Sequence, residues 1–516
     1  MKVGKALILN IVLSVSVGCW ASQAVSMDQN SMPPSASNDE TWELTLQDFL
    51  EMVHQRNERI LIQEAERVIK EQGIESAKAA FEPALVGDYQ YEDVKQQNTV
   101  RELISLGFEP VFYEHSNYYD VGVETLVPTG ARVKLGYNVK EFQNNFDEKY
   151  NVDQEYKNFL GATVTQPLLK NAGVQVNKAA IRVAETDSEI AFQTYREEMM
   201  RVLAEASKTY WELRRAEDRQ KVRQDSVRIA EDILKDNIVR VRTGKMAETE
   251  ILEAKSGLAL RRSLLIEARY AAAAVRNAVR GLFSSSAAEG PTSISAADPM
   301  TLEQMQPDLQ KSLNKAYKLR AEYLAGLYKL EKENIRVMYA QNQRYPQIDL
   351  KGSYGLNGLA TEYSDSLDEM WDTEYAAWTV GFEIRVPLAG DKKSRSELRA
   401  AEKRKEQALL ELKSVEVGLY NGVDTAIQQV TSAAEQARHY AEAVEFNEQL
   451  LKAEIARLEA GKSNSRLVLE KEEDLLRAKE SRLESLVNFK LALLNLGLAE
   501  GHLLLSLGYE IMEVDL

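Results

Sequence analysis

From Asp391 to Leu507 the sequence contains no proline, and its apolar residues recur at helical spacing. Leu412, Val415, Leu419, Val423, Ile427 and Val430 mark the first arm; Leu476, Leu483, Val487, Leu491 and Leu498 mark the second. Between the arms, Glu459-Ala460-Gly461-Lys462-Ser463-Asn464 reads as a reversal. The arm from Asp391 to Leu458 would be roughly 100 Å long at ~1.5 Å per residue, whereas globular helices average about 11 to 12 residues. A helical pattern of that length implies a coiled coil, a helical repeat or the wall of a tube, rather than the several globular domains that the chain length alone would suggest.

The same plan occurs twice. A helix is expected from Thr45 to Phe81, with Thr45 as N-cap, and Pro83 closes it. Strands follow, then a helix from Val174 to Arg242, the reversal Arg242-Thr243-Gly244-Lys245-Met246, and a returning helix from Ala247 to Leu282. After a stretch rich in Ser, Ala, Pro and Gly the order returns: helix Asp308 to Arg344, Pro346, strands, Pro387, long helix, Gly turn, returning helix. Pro83 corresponds to Pro346, Gln166-Pro167-Leu168-Leu169 to Val386-Pro387-Leu388-Ala389, and Gly244-Lys245 to Gly461-Lys462. Pro167 to Gly244 and Pro387 to Gly461 are nearly equal intervals, so two hairpins of similar length would end at the same level.

In the strand regions the period is two. Val133, Leu135, Tyr137 and Val139 alternate with Arg132, Lys134, Gly136, Asn138 and Lys140; Trp378, Val380, Phe382, Ile384 and Val386 alternate with Thr379, Gly381, Glu383 and Arg385. Leu85, Gly87, Tyr89 and Tyr91, then Val121 and Val123, and then Ile348 to Leu356 behave alike. Alternation over about ten residues suits transmembrane strands between lipid and water. A sheet packed on a soluble core gives the same pattern, but the long thin helices nearby supply no such core. Four to six strands are too few to close a water-filled barrel, for which about eight is the small end, so several chains would share one. The segments Glu92 to Asn117, Gln143 to Asn158 and Asn357 to Ala376 are expected to be long polar loops.

The chain opens with Lys2 and Lys5, an apolar run from Ala6 to Val17 and small residues ending at Ser22-Gln23-Ala24, the pattern of a secretory signal peptide. The single cysteine, Cys19, lies near the cleavage region; a lipidated cysteine is an alternative, although Ser16 stands where a lipobox prefers Leu. The mature chain then has no disulfide. No run of about 20 apolar residues follows Ala24, so any membrane span must be a β-barrel. The net charge of −16, with no concentrated basic face, argues against a nucleic-acid partner. The expected organisation is signal peptide 1–24, flexible leader 25–44, first repeat 45–283, linker 284–307, second repeat 308–510 and tail 511–516.

Exported, duplicated, with strands bracketed by prolines and hairpins ending in Gly turns, the sequence resembles the TolC-like outer-membrane efflux proteins from about Thr45 to Leu507. The motifs that carry the resemblance are Gln166-Pro167-Leu168-Leu169, Val386-Pro387-Leu388, Arg242-Thr243-Gly244-Lys245 and Glu459-Ala460-Gly461-Lys462. The resemblance implies a mainly α fold with a membrane β-barrel part: long antiparallel helical hairpins form a periplasmic α-barrel, and amphipathic strands contribute to a shared trimeric β-barrel in outer-membrane lipid. It implies a homotrimeric exit duct for tripartite efflux or type I secretion. The implied partners are a periplasmic adaptor (membrane fusion protein) and an inner-membrane pump or ABC transporter. Family members usually contribute four strands. Here the hairpin Tyr119 to Phe142 adds two of equally clean alternation, which leaves open an eighteen-strand barrel or a hairpin folded outside the membrane.

No catalytic or cofactor site is visible. The four histidines, His54, His115, His439 and His502, fall on separate elements without a metal-ligand spacing, and no Gly-rich phosphate loop follows a strand. Conduction is therefore expected to be passive. By resemblance, Glu470, with Glu253 as its counterpart in the first repeat and Glu250 beside it, would form a carboxylate pore constriction; Leu467 occupies the second family position, so only part of the ring carries over. Solvated glutamates near helix ends are the plainer alternative. Thr243, Gly244, Lys245, Gly461, Lys462 and Ser463 would form the adaptor-docking turns, where glycine permits the left-handed backbone of a tight reversal. A secreted coiled-coil structural or adhesive protein without channel activity is the competing reading; an exported enzyme lacks any clustered acid, base or metal ligand.

Overall fold

The computed structural model describes residues 41–105, 108–145, 152–283, 293–303, 305–387 and 391–509. The signal segment, Cys19 and the tail 511–516 lie outside the described residues. The first repeat comprises β1 (Thr41–Leu44), α1 (Leu46–Arg56), α2 (Glu58–Lys78), β2 (Ala84–Gln97), α3 (Val100–Ser105), β3 (Val111–Leu126), β4 (Arg132–Asn144) and β5 (Glu155–Pro167). It continues through α4 (Val174–Asn177), α5 (Ala179–Arg242) and α6 (Thr249–Gly281), and β6 (Ser293–Ala296) follows. The second repeat comprises α7 (Leu309–Leu319), α8 (Ala321–Asn342), β7 (Gln347–Ala360), α9 (Tyr363–Trp371), β8 (Ala376–Arg385), α10 (Lys392–Glu459), α11 (Ser465–Glu500) and α12 (Leu503–Ser506).

The long arms are as expected, with 64 residues in α5 and 68 in α10. The helices that open each repeat are broken where the sequence reading had them continuous. Thr45 does cap α1, accepting the Asp48 N–H on its hydroxyl, but Asn57 ends that helix after 11 residues. Asn57 takes extended angles, accepts the Arg59 N–H, and donates its side-chain amide to the Leu282 carbonyl, so one residue stops α1 and caps α2. In the second repeat Asp308 caps α7, again of 11 residues, and Arg320 makes the break. Here the end of α11 supplies the reason. Gly501, at φ +69°, lies against the break so closely that a Cβ would sit 2.7 Å from the Arg320 backbone nitrogen.

The segments read as leader and linker meet. β1 and β6 pair in parallel from Thr41↔Ser293 to Leu44↔Ala296. Beneath this strip lies the largest core, in which Phe49, Leu50, Leu203, Tyr210 and Leu213 are each almost wholly buried, worth about 1.5–3 kcal/mol per large side chain. The Tyr210 hydroxyl donates to Asp298 Oδ2 at 2.6 Å and accepts the Asp298 N–H at 3.1 Å, fastening the strip to α5.

The remaining six strands form one antiparallel sheet in the order β2-β3-β4-β5-β7-β8. The three expected loops shrink accordingly. β2 runs to Gln97 and β3 starts at Val111; β4 runs to Asn144 and β5 starts at Glu155; β7 runs to Ala360, and α9 occupies most of what is left before β8. Apolar alternation stops near Tyr91 while the backbone ladder continues through polar residues such as Asp93 and Lys95. Periodicity therefore marked the apolar band rather than the strand ends. The hairpin β3–β4 is inside the sheet, paired along its length with β2 on one side and β5 on the other.

Near the sheet the helices lie side by side in the order α2, α5, α8, α10; toward the Gly turns the order is α6, α5, α11, α10. Edge strand β2 follows edge helix α2, and edge strand β8 runs into edge helix α10. The chain is one wall, sheet above helices, with two open sides.

Candidate channel wall and helical tips

The pairing register assigns every strand residue to a face. One face carries Leu85, Tyr89, Val121, Val123, Leu135, Val164, Tyr354, Trp378, Val380, Phe382 and Ile384, all exposed, with Leu85 at 72% and Trp378 at 71%. A contiguous apolar band of this extent is unstable in water and suits lipid. The opposite face is charged. Lys134 pairs with Asp120 and Lys140 with Glu114, both at 2.6 Å, and Glu383 bridges Lys351 at 2.5 Å and Arg385 at 3.1 Å. Such a face suits a water-filled lumen. At its lower rim, where strands meet α5, α8 and α10, a cleft of about 940 Å³ is bordered by Arg132, Lys351, Glu383, Arg385 and Arg404.

α9 packs on the apolar face above the band. Gly358 permits this, because a Cβ there would stand 1.8 Å from the Ser366 carbonyl oxygen. Asn158, fully buried, donates to Ser366 Oγ at 2.5 Å, and the Tyr137 hydroxyl donates to Asn158 Oδ1 at 2.9 Å. No described helix is long and apolar enough to cross a membrane. Among the described residues no group of three or more His, Cys, Asp or Glu could hold a metal ion.

The two tips are built alike. Gly244 and Gly461 both adopt φ +71° with open space where a Cβ would go. In the first turn Lys245 N–H donates to Arg240 O and Gly244 N–H to Val241 O; in the second Lys462 N–H donates to Arg457 O and Gly461 N–H to Leu458 O. Each is a Schellman closure, which satisfies the last helix carbonyls. Thr243, Gly244, Lys245, Gly461 and Lys462 are exposed, while Ser463 is half-buried and donates to Glu454.

Three carboxylates singled out from the sequence have different surroundings. Glu470 and Glu253 are exposed. Glu250 is half-buried, and its Oε2 accepts the Ser465 N–H at 3.2 Å at the start of α11. Buried Asn237 joins the same knot, exchanging hydrogen bonds with Ser465 Oγ at 2.8 and 3.0 Å. Sequence reasoning missed a buried contact between the hairpins: Arg261 and Glu472, with side chains only 8% and 3% exposed, form an ion pair. Its signal was present, since Arg261 falls on the same helical stripe as Leu258, Leu265 and Ala268, where a charge demands a partner. Farther up the wall, burial pushes the carboxyl groups of Glu189, Glu197 and Glu217 above the usual carboxylate range.

A family model described as outer membrane efflux protein matches residues 132–284 and 313–502, well over half of the chain. The chain belongs to the outer membrane efflux protein family. Like other outer membrane efflux proteins it is an outer-membrane channel rather than an enzyme. Solved structures carry the same fold. The Campylobacter jejuni CmeC outer membrane channel aligns at a TM-score of 0.62 and 13% identity, over 91% of this chain and 87% of that one. The open state of the Neisseria gonorrhoeae MtrE outer membrane channel aligns at 0.61 and 16%, over 89% of each. The outer membrane protein VceC from Vibrio cholerae aligns at 0.58 and 17%, over 88% of this chain and 96% of that one. No curated protein sequence matches the chain. The fold expected from the duplicated proline and Gly-turn pattern is borne out. The efflux protein family match begins at Arg132, the first residue of β4, so β2 and β3 precede it.

Proposed function

We propose that three copies of this chain close into an exit duct that passively conducts substrates from the periplasm to the outside, serving a tripartite efflux or type I secretion system. The observation that carries this reading is the pair of open sides. β2 and β8 each leave one backbone edge unpaired, a state that proteins normally avoid by closure. The helices below continue both sides with exposed apolar side chains: Leu61, Ile62 and Ile69 on α2 and Ile266 and Tyr270 on α6 at one side, Leu410, Val417 and Phe446 on α10 at the other. One side of each copy meets the other side of the next, the head-to-tail contact that generates a ring.

In this reading residues 1–24 direct export, and the turns at Thr243, Gly244, Lys245, Gly461, Lys462 and half-buried Ser463 dock a periplasmic adaptor fed by an inner-membrane pump or ABC transporter. Glu470 and Glu253, both exposed, line the narrow end in this reading, whereas Glu250 holds the two tips together. A secreted structural protein leaves the apolar band of the sheet without a solvent.

The test is single-channel conductance of the detergent-solubilised protein in planar bilayers, wild type against Glu470→Ala. Cation-selective pores from a trimeric species support the duct, and selectivity weakened by the substitution supports the constriction. Folded protein that is released from cells without detergent refutes the duct.

A further inference from the structure

We infer that the shared barrel has eighteen strands, half as many again as the twelve usual in the family, and that its lumen is correspondingly wide enough for bulky cargo. The inference rests on the trimeric duct proposed above and concerns what that duct can pass.

All six strands are committed to one sheet. β3 and β4 exchange a continuous ladder from Glu114↔Asn144 to Leu126↔Arg132, and β2 pairs with β3 over its whole length. The β3–β4 turn is also fastened to the strand-to-helix junction. Gly173 N–H donates to Thr129 O, the Thr129 hydroxyl donates to Gln166 Oε1 at 3.1 Å, and Gly130 (φ +94°) packs on Asn171 O, where a Cβ would come within 2.4 Å. Leu85, Tyr89, Val121 and Val123 on β2 and β3 continue the apolar band of the other four strands. Left outside the barrel, these four side chains would face water.

Width agrees with six strands in each copy. Strands about 4.8 Å apart and tilted about 40° each occupy ~6.3 Å of circumference, so six take ~38 Å and four take ~25 Å. The four helices abreast beneath the sheet, packed at about 8–10 Å, take ~32–40 Å. Six strands match the width of the helical layer. The match is written into the chain order, because edge strand β2 follows edge helix α2 and edge helix α10 follows edge strand β8. At the seam β2 ascends from the junction and β8 descends to it, so they meet antiparallel. Outward positions Leu85, Gly87, Tyr89 and Tyr91 then stand level with Ile384, Phe382, Val380 and Trp378.

Three copies of a six-stranded sheet give eighteen strands, an even and uniformly antiparallel number. At equal tilt the barrel is about 1.5-fold wider than one of twelve strands, with a backbone diameter of about 36 Å against ~24 Å. Allowing about 5 Å for side chains at each wall leaves ~25 Å, room for a polypeptide hairpin of two helices of ~10–12 Å each.

Cryo-electron microscopy of the trimer in lipid nanodiscs tests the count. Eighteen strands with β2 beside β8 of the next copy are expected; twelve strands with β2 and β3 outside overturn the inference. Lumen width is read in intact cells, in a Cys19→Ser background, by maleimides of graded size against Thr163→Cys on the charged face and Val380→Cys on the apolar face. Reaction of Thr163→Cys with reagents about 20 Å across supports the wide lumen, and reaction limited to reagents below about 10 Å overturns it. Equal reaction of both cysteines, or no trimer in lipid, is a failure of the duct itself and is distinct from a wrong strand count.

Discussion

Removing the Glu472 carboxylate should loosen the two hairpins from one another near their tips. Arg261 Nε donates to Glu472 Oε2 at 2.8 Å, Nη2 donates to the same oxygen and to Leu469 O at 3.1 Å, and Nη1 donates to Gly257 O at 3.3 Å. Glu472→Ala leaves a guanidinium that is 8% exposed with no counter-charge. Breaking one partner of a buried pair costs about 3–5 kcal/mol, and the two remaining carbonyl acceptors place this case near ~3 kcal/mol. The effect is local, so whole-protein melting is a poor readout for a membrane barrel. Amide hydrogen exchange in α6 around Arg261 and in α11 around Glu472 reports the opening directly, and ~3 kcal/mol corresponds to exchange faster by on the order of a hundredfold. The double variant Arg261→Met with Glu472→Leu removes both charges and should restore most of the protection. Unchanged exchange in Glu472→Ala, or a double variant as loose as the single one, would refute the reasoning.

The two faces of the sheet should respond oppositely to charge. Phe382→Lys, on the apolar face, is expected to cost about 2–4 kcal/mol if it sits near the bilayer midplane and to block assembly into lipid vesicles, whereas Thr163→Lys, on the charged face, should assemble normally. Gly461→Val forces a β-branched residue to φ +71°, strain of roughly 1–2 kcal/mol or more with no steric clash. It should speed amide exchange at the second tip and weaken adaptor capture while the sheet stays intact. Glu189→Gln should stabilise the helical wall at neutral pH, because burial raises this carboxyl above its ordinary 4.5 and its Oε2 is buried without a partner. The sign is set by the direction of the shift: the folded state favours the protonated acid, so the penalty of the charged form is full above the raised value and vanishes below 4.5. Thermal unfolding of variant and wild type should therefore differ at pH 7 and converge on acidification; a gap that widens toward low pH contradicts it.

What the sequence disclosed were the features written by periodicity: two long hairpins from a 3.6-residue pattern, a sheet from a two-residue pattern, and two tips from Gly244 and Gly461. The hairpins and the sheet are each a sum over many residues, so no single position had to be read correctly, and each tip is a glycine set where a long helical period stops. The features it concealed turn on one residue or on distant partners. Asn57 and Arg320 each break a helix through one pair of backbone angles, within a stretch whose apolar period does not change. The four-residue strands β1 and β6 pair across more than two hundred positions and are individually too short to announce themselves. Glu250 carried the composition of a lumen-lining acid. Its half-buried place beside Ser465 depends on how the second hairpin lies against the first, which no local pattern encodes. Arg261 falls between these cases. Its stripe was visible, and a charge on a buried stripe implies a counter-charge, but the sequence offered Glu470, Glu472, Glu473 and Asp474 as neighbours along one helix. Only the rotation of α11 against α6 selects Glu472 for the pair and leaves Glu470 exposed. Tertiary geometry thus shows cohesion at Glu472 and leaves Glu470 exposed, free for the conducting role proposed for it. Alanine at the first should alter ion selectivity with little change in exchange at the tips, and alanine at the second should accelerate that exchange.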